Sequence, residues 1–404
     1  MIVRPLKSAK SDLFHLLLLL FLFTGPLLLI SACSDRRDQT YESFMDEGTV
    51  VVLNTTLEVD VPPWQWTSEH VAGVAYGDTS YMFRDTYAVT VLENGTWVVL
   101  DSMPMELRIY DRSGRHLRSF GRPGGGPSDL RWDRITGQLK GIGSDRFELW
   151  YGWPIRIQTW NTEGDLLEVR SMAIEHPLTT GRYPRTVGTI GSKVFALVPS
   201  WIRENPDEAI HFSHLIAGDW QGSGVDTLYT IEHTPMSNWT GMSQAAFDYP
   251  AFDLMLITST ERLYISSWEE DWIHEIDPES GDEIRRFRLE HEPMAIPDHK
   301  VEEFRRVMGN RFTEGLVWLQ ERTWFLAMYE GPEGEIWVRR TGEPALDGTW
   351  PTDIFSSEGI FLGRMHLQHL PLGSGIFHGT DLHAVGLIED DAPALMKYEF
   401  RRNR

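Results

Sequence analysis

Short apolar runs separated by tight polar turns recur six times along the chain. Each instance has an apolar run, a turn rich in Gly, Asn, Asp or Glu, and a second run rich in aromatic or β-branched residues. This pattern predicts a β-hairpin at each place. The six predicted turns lie at residues 94–95, 143–145, 191–193, 259–261, 332–334 and 379–380.

A second kind of turn lies between these hairpins. An Asp, Asn or Ser that can hydrogen-bond its own backbone is followed shortly by Gly, and this combination favours a turn. The repeating unit is therefore two consecutive hairpins, which form four antiparallel strands. The four turns of this kind are Asp111–Gly114, Asn161–Gly164, Asp277–Gly281 and Ser356–Gly359.

The spacing of the units indicates the architecture. Three of the five spacings are close to the roughly 40 to 50 residues of a propeller blade, and the two longer ones imply insertions. The sequence therefore predicts an all-β chain that forms one six-bladed β-propeller of four-stranded antiparallel blades. Counted from Gly95, Asp145, Ser192, Glu261, Gly334 and Thr380, the spacings are 50, 47, 69, 73 and 46 residues.

The ends of this repeat predict how the ring closes. The sixth unit has strands at Leu382–Ile388 and Ala394–Phe400 and lacks a fourth strand, whereas Thr49–Leu53 reads as a strand without a hairpin partner. If the sixth blade takes this N-terminal strand as its fourth, the blade no longer has an exposed strand edge at which molecules could aggregate. We therefore expect Thr49–Leu53 to complete the sixth blade, and the stretch Leu57–Arg84 has no blade assignment.

One segment between the fourth and fifth units has helical rather than strand periodicity. Pro297 and Asp298 provide a helix start, and apolar residues then recur every three or four positions. We predict an inserted amphipathic helix at about residues 297–321 whose apolar face packs on the propeller, with partner binding as the alternative. The apolar positions are Val301, Phe304, Val307, Met308 and Phe312.

The N-terminus has the organisation of a signal peptide. Arg4, Lys7 and Lys10 precede an almost uninterrupted apolar run, Leu13–Ile30. The run is followed by Ser31, Ala32 and Cys33, and Cys33 is the only cysteine in the chain. This order resembles a bacterial lipobox, in which a signal peptidase cuts before the Cys and the thiol carries a diacylglyceryl group.

The lipobox resemblance implies a domain plan. Residues 1–32 are the lipoprotein signal peptide, 33–47 a tether that starts at the lipidated Cys33, and 48–404 the propeller. Acyl chains on Cys33 would hold the protein at a membrane. The alternatives are a plain secretory signal or a transmembrane anchor, although the apolar run is interrupted by Gly25 and Pro26 and is short for about 30 Å of hydrocarbon.

A second resemblance concerns the blades. The segment Ile109–Leu130 resembles the repeat end and inter-blade loop of NHL-type six-bladed propellers, especially the bacterial lipoprotein propellers of that group. Glu335–Val338 is similar to the strand that follows a Gly turn in the same family. The chain departs from the family at Ser128–Leu130, where Gly-Glu-Phe is frequent. The resemblance implies the fold, and the family's binding functions vary too widely to transfer.

Charge and cysteine content exclude several functions. The chain has 37 Lys and Arg against 59 Asp and Glu, a formal net charge of -22. Such a surface has little to hold a phosphate backbone, so we expect no nucleic-acid partner. A single Cys forms neither an internal disulfide nor a structural zinc site. The 16 Trp include Trp97, Trp150, Trp160 and Trp337, which we expect to fill the space between blades.

No catalytic motif stands out. The chain has no His-Glu-x-x-His and no Gly-x-Ser-x-Gly sequence, and the glycine-rich loop 121–127 lacks the Gly-Lys-Ser/Thr of a phosphate loop. We therefore assign no catalytic residue. Phosphate binding by this loop is the minor alternative to a simple turn into the next blade.

The topology of a propeller predicts a candidate ligand face. Loops between the second and third strands of a blade emerge at the same end as the loops between blades, and such ends often bind ligands. The alternative is that the residues at this end are solvated hairpin tips. The candidates are Asp101, Trp153, Trp201, Arg203, Trp268, Glu269, Glu270, Asp271, Arg339, Arg340, Asp390 and Asp391.

The resulting expectation is a binding or scaffolding module, lipid-anchored in a bacterial cell envelope on the periplasmic or surface side. Its ligand would be a protein, peptide or glycan, and no cofactor is expected. The alternative is a metal-dependent hydrolase or lactonase with Ca²⁺ in the central channel. Glu269, Glu270 and Asp271 offer oxygen ligands of the kind that Ca²⁺ takes, although their spacing is not that of an EF-hand.

Overall fold

The computed structural model contains twenty-seven β-strands and no helix in the part of the chain that it describes. No helix there is long and apolar enough to cross a membrane. The predicted inserted helix, the signal peptide and Cys33 lie outside the described residues. These are residues 41–55, 63–83, 86–101, 103, 105–130, 138–151, 155–172, 186–205, 208–219, 224–232, 236–237, 254–266, 271–290, 325–340, 349–368, 375–378, 380–388 and 392–403.

The strands form six antiparallel blades around a ring, as the repeat predicts. In each blade the strands follow one another from the centre outwards. Blade 1 is β4 (Thr86–Val91), β5 (Trp97–Asp101), β6 (Glu106–Tyr110) and β7 (His116–Phe120). Blade 2 is β8 (Gln138–Ile142), β9 (Arg146–Tyr151), β10 (Ile155–Asn161) and β11 (Leu166–Met172). Blade 3 is β12 (Thr186–Ile190), β13 (Lys193–Asn205), β14 (Glu208–Asp219) and β15 (Asp226–Glu232), with the short β16 (Met236–Ser237) beside β14.

The second half of the ring carries the additions from the N-terminal region. Blade 4 is β17 (Met255–Ile257), β18 (Leu263–Ser266), β19 (Ile273–Ile276) and β20 (Glu283–Leu289), extended outwards by β2 (Thr49–Asn54) and β1 (Tyr41–Asp46). Blade 5 is β21 (Phe325–Glu330), β22 (Ile336–Arg340), β23 (Thr349–Phe355) and β24 (Phe361–Gln368). Blade 6 is β25 (Gly375–His378), β26 (Asp381–Leu387), β27 (Pro393–Arg402) and β3 (Trp64–Ala72).

Contacts between neighbouring blades show that the ring is closed. The innermost strand β4 contacts both β8 and β25, and β17 contacts both β12 and β21. Each of six hydrophobic clusters draws its buried side chains from two adjacent blades, and one of them joins blade 6 to blade 1. Trp97, Trp150, Trp160 and Trp337 are all buried in these clusters. The tryptophans therefore fill the layers between blades, as the sequence predicts.

The strand that completes blade 6 is not the predicted one. The outermost strand is β3, which pairs with β27 and places Ser68 opposite Tyr398. Trp64 on β3 is buried, and its indole N–H donates to Glu335 of blade 5 at 3.0 Å. The expectation that Thr49–Leu53 closes the ring was therefore wrong, because β3 alone carries a large apolar side chain for the interface between blades 5 and 6.

The Thr49–Leu53 segment has another place in the molecule. It belongs to β2, which pairs in parallel with β20 on the outside of blade 4. The Asn54 amide donates to the carbonyls of Arg288 (2.9 Å) and Gly359 (3.0 Å), and Asn54 Oδ1 accepts the Phe361 N–H at 2.7 Å. These bonds attach β2 to blades 4 and 5. The strand β1 pairs antiparallel with β2 on its outer side. Residues 41–46 of the predicted tether therefore form a strand of the fold.

The turns between third and fourth strands close on themselves and pack against the preceding blade. In blade 1, Asp111 Oδ1 accepts the backbone N–H groups of Ser113 and Arg115, each at 3.0 Å. Gly114 in this turn has φ +79, and a Cβ added there would lie 1.9 Å from the Val71 carbonyl oxygen of β3. Only glycine satisfies both the left-handed backbone and the close approach.

The two ends of the ring differ in their connections. At one end, which we call the turn end, the first-to-second and third-to-fourth connections are all short, and the longest runs from Asp219 to Asp226. At the opposite end, the loop end, lie the second-to-third and inter-blade connections, including the long one from Leu289 to Phe325. The hairpin of β13 and β14 also extends this end, with Asn205 opposite Glu208. The loop end is the predicted ligand face.

Candidate functional site

Asp101, the last residue of β5, forms a buried ion pair where blade 1 meets the loop end. Its Oδ2 lies 3.1 Å from Arg108 Nη2, and Arg108 Nε lies 2.6 Å from Glu106 Oε1. Arg108 Nη1 also donates to the carbonyls of Thr79 (3.1 Å) and Met82 (2.9 Å) in the preceding inter-blade segment. Although burial opposes it, the charge of Asp101 raises the pKa of Arg108. Arg108 thus holds the inter-blade segment against the end of blade 1.

Blade 5 contains a buried ion cluster at the equivalent end. Arg340, the last residue of β22, contacts Asp353, and both side chains are buried. Arg364 approaches Asp353 from the outer strand, with its Nε 2.6 Å from Asp353 Oδ1. Burial alone would raise the pKa of Asp353, but the charges of Arg340 and Arg364 together lower it.

The two clusters use equivalent positions on the second and third strands of their blades, with the acidic and the basic residue exchanged. Arg108 lies opposite Val99 on the neighbouring strand, and Asp353 lies opposite Val338, which is likewise two residues before the end of its strand. Asp101 and Arg340 are both fully buried. The two candidate ligand residues therefore form a charged layer beneath the loop end instead of lying on its surface.

Arg339 lies on the other face of β22 from Arg340. It is directly opposite Thr352 on β23, and it points into the layer between blades 5 and 6 with Trp337. Only 6% of Arg339 is exposed. Burial lowers the pKa of Arg339, and the neighbouring Tyr329 and Tyr398 oppose this shift. The structure thus places a cationic group among aromatic rings at the edge of the loop end.

Asp271 lies at the loop end of blade 4 with a left-handed backbone (φ 58). Next to it, the ring of Trp272 lies under two guanidinium groups, with ring-to-carbon distances of 5.4 Å for Arg286 and 4.6 Å for Arg288. Cation–π contacts of this kind stabilise a fixed aromatic surface. Trp272 was not among the candidates predicted from the sequence. The prediction selected the acidic residues directly before it, which end at Asp271.

The structure describes only two of the remaining candidate residues. They are Trp201 and Arg203, and both lie on β13, whose backbone is described there. Their position on the extension of the β13–β14 hairpin agrees with the predicted end of the ring. The candidates that lie outside the described residues are Trp153, Trp268, Glu269, Glu270, Asp390 and Asp391.

The glycine-rich loop is folded around a carboxylate of its own chain. Asp129 Oδ2 accepts the Gly126 N–H at 2.6 Å, and Asp129 Oδ1 lies 3.0 Å from Arg122 Nε. Arg156 and Gln158 of blade 2 donate to the Pro127 carbonyl, each at 2.7 Å. The Gly126 N–H and Arg122 lower the pKa of Asp129. Asp129 therefore fills the anion position of this loop, which explains its glycines without a bound phosphate.

A chain of polar side chains in blade 3 was missed by the sequence reasoning. Ser200 Oγ lies 2.7 Å from His214 Nε2, and His214 Nδ1 lies 3.0 Å from Thr230 Oγ1. Ser200 and His214 are both buried. A carboxylate usually orients the histidine of a catalytic Ser–His pair, and here a threonine takes that place. No sequence motif marks the three residues, because strand pairing brings them together from three strands.

No group of three or more His, Cys, Asp or Glu side chains that could hold a metal ion occurs among the described residues. The alternative of a metal-dependent enzyme stays a prediction.

Comparisons with known proteins show the fold. No protein-family model and no curated protein matches the chain. Among solved structures, a DUF4221 family member from Bacteroides vulgatus has TM-score 0.52 at 9% identity, covering 91% of this chain and 100% of its own. An exported protein from Bacteroides fragilis has TM-score 0.49 at 11% identity, covering 88% and 100%. The calcium-binding protein regucalcin from Agrobacterium tumefaciens has TM-score 0.41 at 12% identity, covering 79% and 91%.

Proposed function

We propose that this protein is a lipid-anchored, extracytoplasmic binding module whose ligand, a protein, peptide or glycan, docks on the loop end of the propeller. Acyl chains on Cys33 attach it to a bacterial membrane, and the ring presents the loop end to the ligand. The similarity to a Bacteroides exported protein agrees with a location outside the cytoplasm. Fold alone does not determine function, so the proposal rests on the loop end itself.

The difference between the two ends of the ring carries the proposal. The turn end consists of short turns that satisfy their own hydrogen bonds and pack against neighbouring blades, as Asp111 and Gly114 do. The loop end has the long connections, and buried ion pairs such as Asp101–Arg108 support it from below. Variable loops on a rigid support are the usual site of recognition.

Binding can be tested with arrays of immobilised peptides and glycans and the full chain solubilised in detergent. We expect at least one class of array ligand to bind, and binding to fall about tenfold or more when Asp271 at the loop end, or Trp268 of the predicted ligand face, is changed to Ala. The matched control is Glu93→Ala at the turn end, where the side chain is exposed. Equal loss in the Glu93 variant, or no bound ligand at all, would contradict the proposal.

The anchor has its own test. Cells expressing the full chain are given a labelled fatty acid, and the wild-type protein is expected to incorporate label that the Cys33→Ala variant lacks. Because Cys33 is the only cysteine, label in the variant would show that the lipid is attached elsewhere and that the lipobox assignment is wrong.

A further inference from the structure

The outer edge of blade 4 projects from the ring. β2 and β1 add two strands outside the four of the blade. Because paired strands lie about 4.8 Å apart, β1 stands roughly 10 Å further out than a fourth strand does. β1 is also the last strand of this sheet among the described residues. It is therefore the part of blade 4 that a flat surface would meet first.

This outermost strand exposes large apolar side chains on both of its faces. Residues 42–45 are all exposed, and Phe44 and Met45 among them are 46% and 64% exposed. Neighbouring residues of a strand point to opposite faces, so the two side chains lie on either side of the edge. A strand edge with apolar side chains beside it favours contact with a partner.

The N-terminus indicates which partner is within reach. Eight residue steps separate the predicted lipidation site Cys33 from Tyr41, the first residue of β1. Even a fully extended chain of eight steps spans about 28 Å at most. Acyl chains on Cys33 would therefore keep β1 near the bilayer at a high effective concentration, at which a contact that is weak in solution is sufficient for docking.

The charge of the strand selects the kind of surface. β1 has two carboxylates, Glu42 and Asp46, and no basic residue, and Asp46 contacts Arg286 of β20. It therefore has nothing that attracts anionic headgroups. A second copy at this edge would bring like charges together, and a pair of six-residue strands buries much less than the roughly 1,200 Å² of a stable interface. An uncharged lipid surface accepts the apolar side chains without these costs.

We infer that the outer edge of blade 4, with Phe44 and Met45 of β1, docks on the surface of the zwitterionic lipid bilayer that holds Cys33. This inference rests on the proposed function and deepens it, because it gives the anchored ring an orientation. Blades radiate from the centre of a propeller. A ring that rests on the outer edge of one blade therefore has its loop end open to the side, where a ligand can reach it.

The backbone of β1 sets the depth of docking. The turn residues Glu47 and Gly48 have φ 48 and 97, and a two-residue turn of this kind joins flanking residues, here Asp46 and Thr49, by backbone hydrogen bonds. Alternate residues such as Met45 then direct their N–H and C=O groups outwards. Such groups do not enter hydrocarbon without partners. β1 therefore lies at the level of the headgroups, and only its side chains reach deeper.

The test measures how close a fluorophore on β1 comes to lipid. Met45→Cys in the full chain is labelled with a thiol-reactive fluorophore and reconstituted in phosphatidylcholine vesicles that contain spin-labelled lipid. The matched control is Leu117→Cys, because Leu117 is 42% exposed on the outermost strand of blade 1, across the ring from blade 4. We expect quenching at position 45 to exceed that at position 117 about threefold or more, and a shallow spin label to quench more than a deep one.

A second pair of variants tests the apolar contact itself. Phe44→Ser is expected to lower the quenching at Met45→Cys about threefold, since docking scales with the apolar area buried. Leu167→Ser removes a side chain that is 51% exposed on blade 2 and should leave this quenching unchanged. Both variants should keep the thermal unfolding midpoint, because the changed side chains are exposed.

Three results would overturn the inference. They are equal quenching at positions 45 and 117, quenching that requires anionic lipid, and shielding of the fluorophore at position 45 that rises with protein density without quenching by lipid. The last result would mean that a second copy covers β1.

The proposed anchor fails separately. Because Cys33 is the only cysteine, an acylated wild-type chain should take up no fluorophore. Labelled wild type would refute the anchor, and the comparison is then made with Cys33→Ala in every chain, where selective quenching at position 45 would still support docking. An unlabelled wild type with equal quenching at positions 45 and 117 would refute the docking alone.

Discussion

At the residue scale, the most consequential side chain is Asp353. Its carboxylate is fully buried and contacts two guanidinium groups, those of Arg340 and Arg364. Without it, the buried Arg340 and the partly buried Arg364 would face each other where charge is poorly screened. Asp353 therefore stabilises both the layer between blades 4 and 5 and the support of the loop end.

We predict that Asp353→Asn lowers the free energy of unfolding by about 3–5 kcal/mol, since it removes the buried negative charge that pairs with Arg340 and Arg364. The measurement is urea unfolding at neutral pH. The control is Glu163→Gln, whose partner Arg118 and own side chain are exposed at the surface, so its effect should stay below about 1 kcal/mol. Similar losses in the two variants would refute the special role of the buried cluster.

The same carboxylate predicts a pH dependence. Its pKa is lowered in the folded protein by the two arginines, whereas in the unfolded chain the pKa is near the ordinary value of about 3.9. The stability that Asp353 contributes is therefore fully present above about pH 4 and is lost as the pH falls towards the folded pKa. We therefore expect the stability difference between wild type and Asp353→Asn to narrow as the pH falls below about 4. A constant difference would contradict this assignment.

Asp129 gives a prediction for the glycine-rich loop. Asp129→Ala removes the acceptor of the Gly126 N–H, so hydrogen exchange in the segment 121–130 should become faster than in the wild type. Asp129→Asn keeps an acceptor oxygen and is expected to show a smaller change. The measurement is peptide-level hydrogen–deuterium exchange, and unchanged exchange in the Ala variant would show that other contacts hold the loop.

At the element scale, the turn between the third and fourth strands is a repeated joint between blades. Gly114 lies against β3 of the preceding blade, and Gly281 lies against β15 in the same way, with Leu228 O 2.5 Å from an added Cβ. Among the described first-to-second turns, Gly143, Gly191 and Gly334 have no such close contact at the position of an added Cβ. Gly334 has a similar φ of +80 but open space around an added Cβ.

This contrast makes a matched pair of substitutions. Gly334→Ala carries only the cost of a left-handed backbone, about 1–2 kcal/mol. Gly114→Ala carries that cost and also displaces the Val71 carbonyl of β3. We therefore expect it to lower the free energy of unfolding by roughly a further 1–3 kcal/mol. Urea midpoints of the two variants provide the comparison. Equal midpoints would mean that the joint with β3 adjusts freely.

The predictability of the elements depends on how local their signals are. The six hairpin turns and the four Asx- or Ser-type turns were predicted correctly, because a turn is specified by residues next to each other in sequence. The strands β1 and β3 were missed as blade strands. β3 includes the polar run Thr67–His70, since an outermost strand has one face in solvent and shows little apolar alternation.

At the scale of the whole molecule, closure depends on β3. It is the fourth strand of blade 6, and Trp64 on it packs between blades 5 and 6. The pair β1 and β2 instead adds to blade 4, which already has four strands. The two N-terminal additions should therefore contribute differently to folding.

We expect deletion of residues 63–72 to remove the single cooperative unfolding transition. The loss of stability should exceed that of Trp64→Ala alone, which we expect to be about 3–5 kcal/mol. Deletion of residues 41–55 should lower stability and keep the cooperative transition, because all six blades still have four strands. Calorimetry of both variants tests this. A cooperative transition in the first variant would show that β3 is dispensable for closure.

The candidate site divides in the same way between local and long-range signals. Topology placed Asp101, Arg339 and Arg340 at the correct end of the ring, because each follows an apolar run that ends there. It did not show that Asp101 and Arg340 are buried, since their partners Arg108 and Asp353 come from a different strand. The Ser200–His214–Thr230 chain and the layer around Arg339 depend likewise on strand register and blade packing.

The amino-acid sequence by itself determined the all-β class, the number of blades, the positions of the turns and the tryptophan-rich layers, because each is encoded by neighbouring residues at a regular spacing. The tertiary structure alone decided which N-terminal strand closes the ring, which charges are buried, and which polar side chains from different strands meet. Those features arise between strands far apart in sequence, where packing and desolvation select among contacts that the local pattern allows equally.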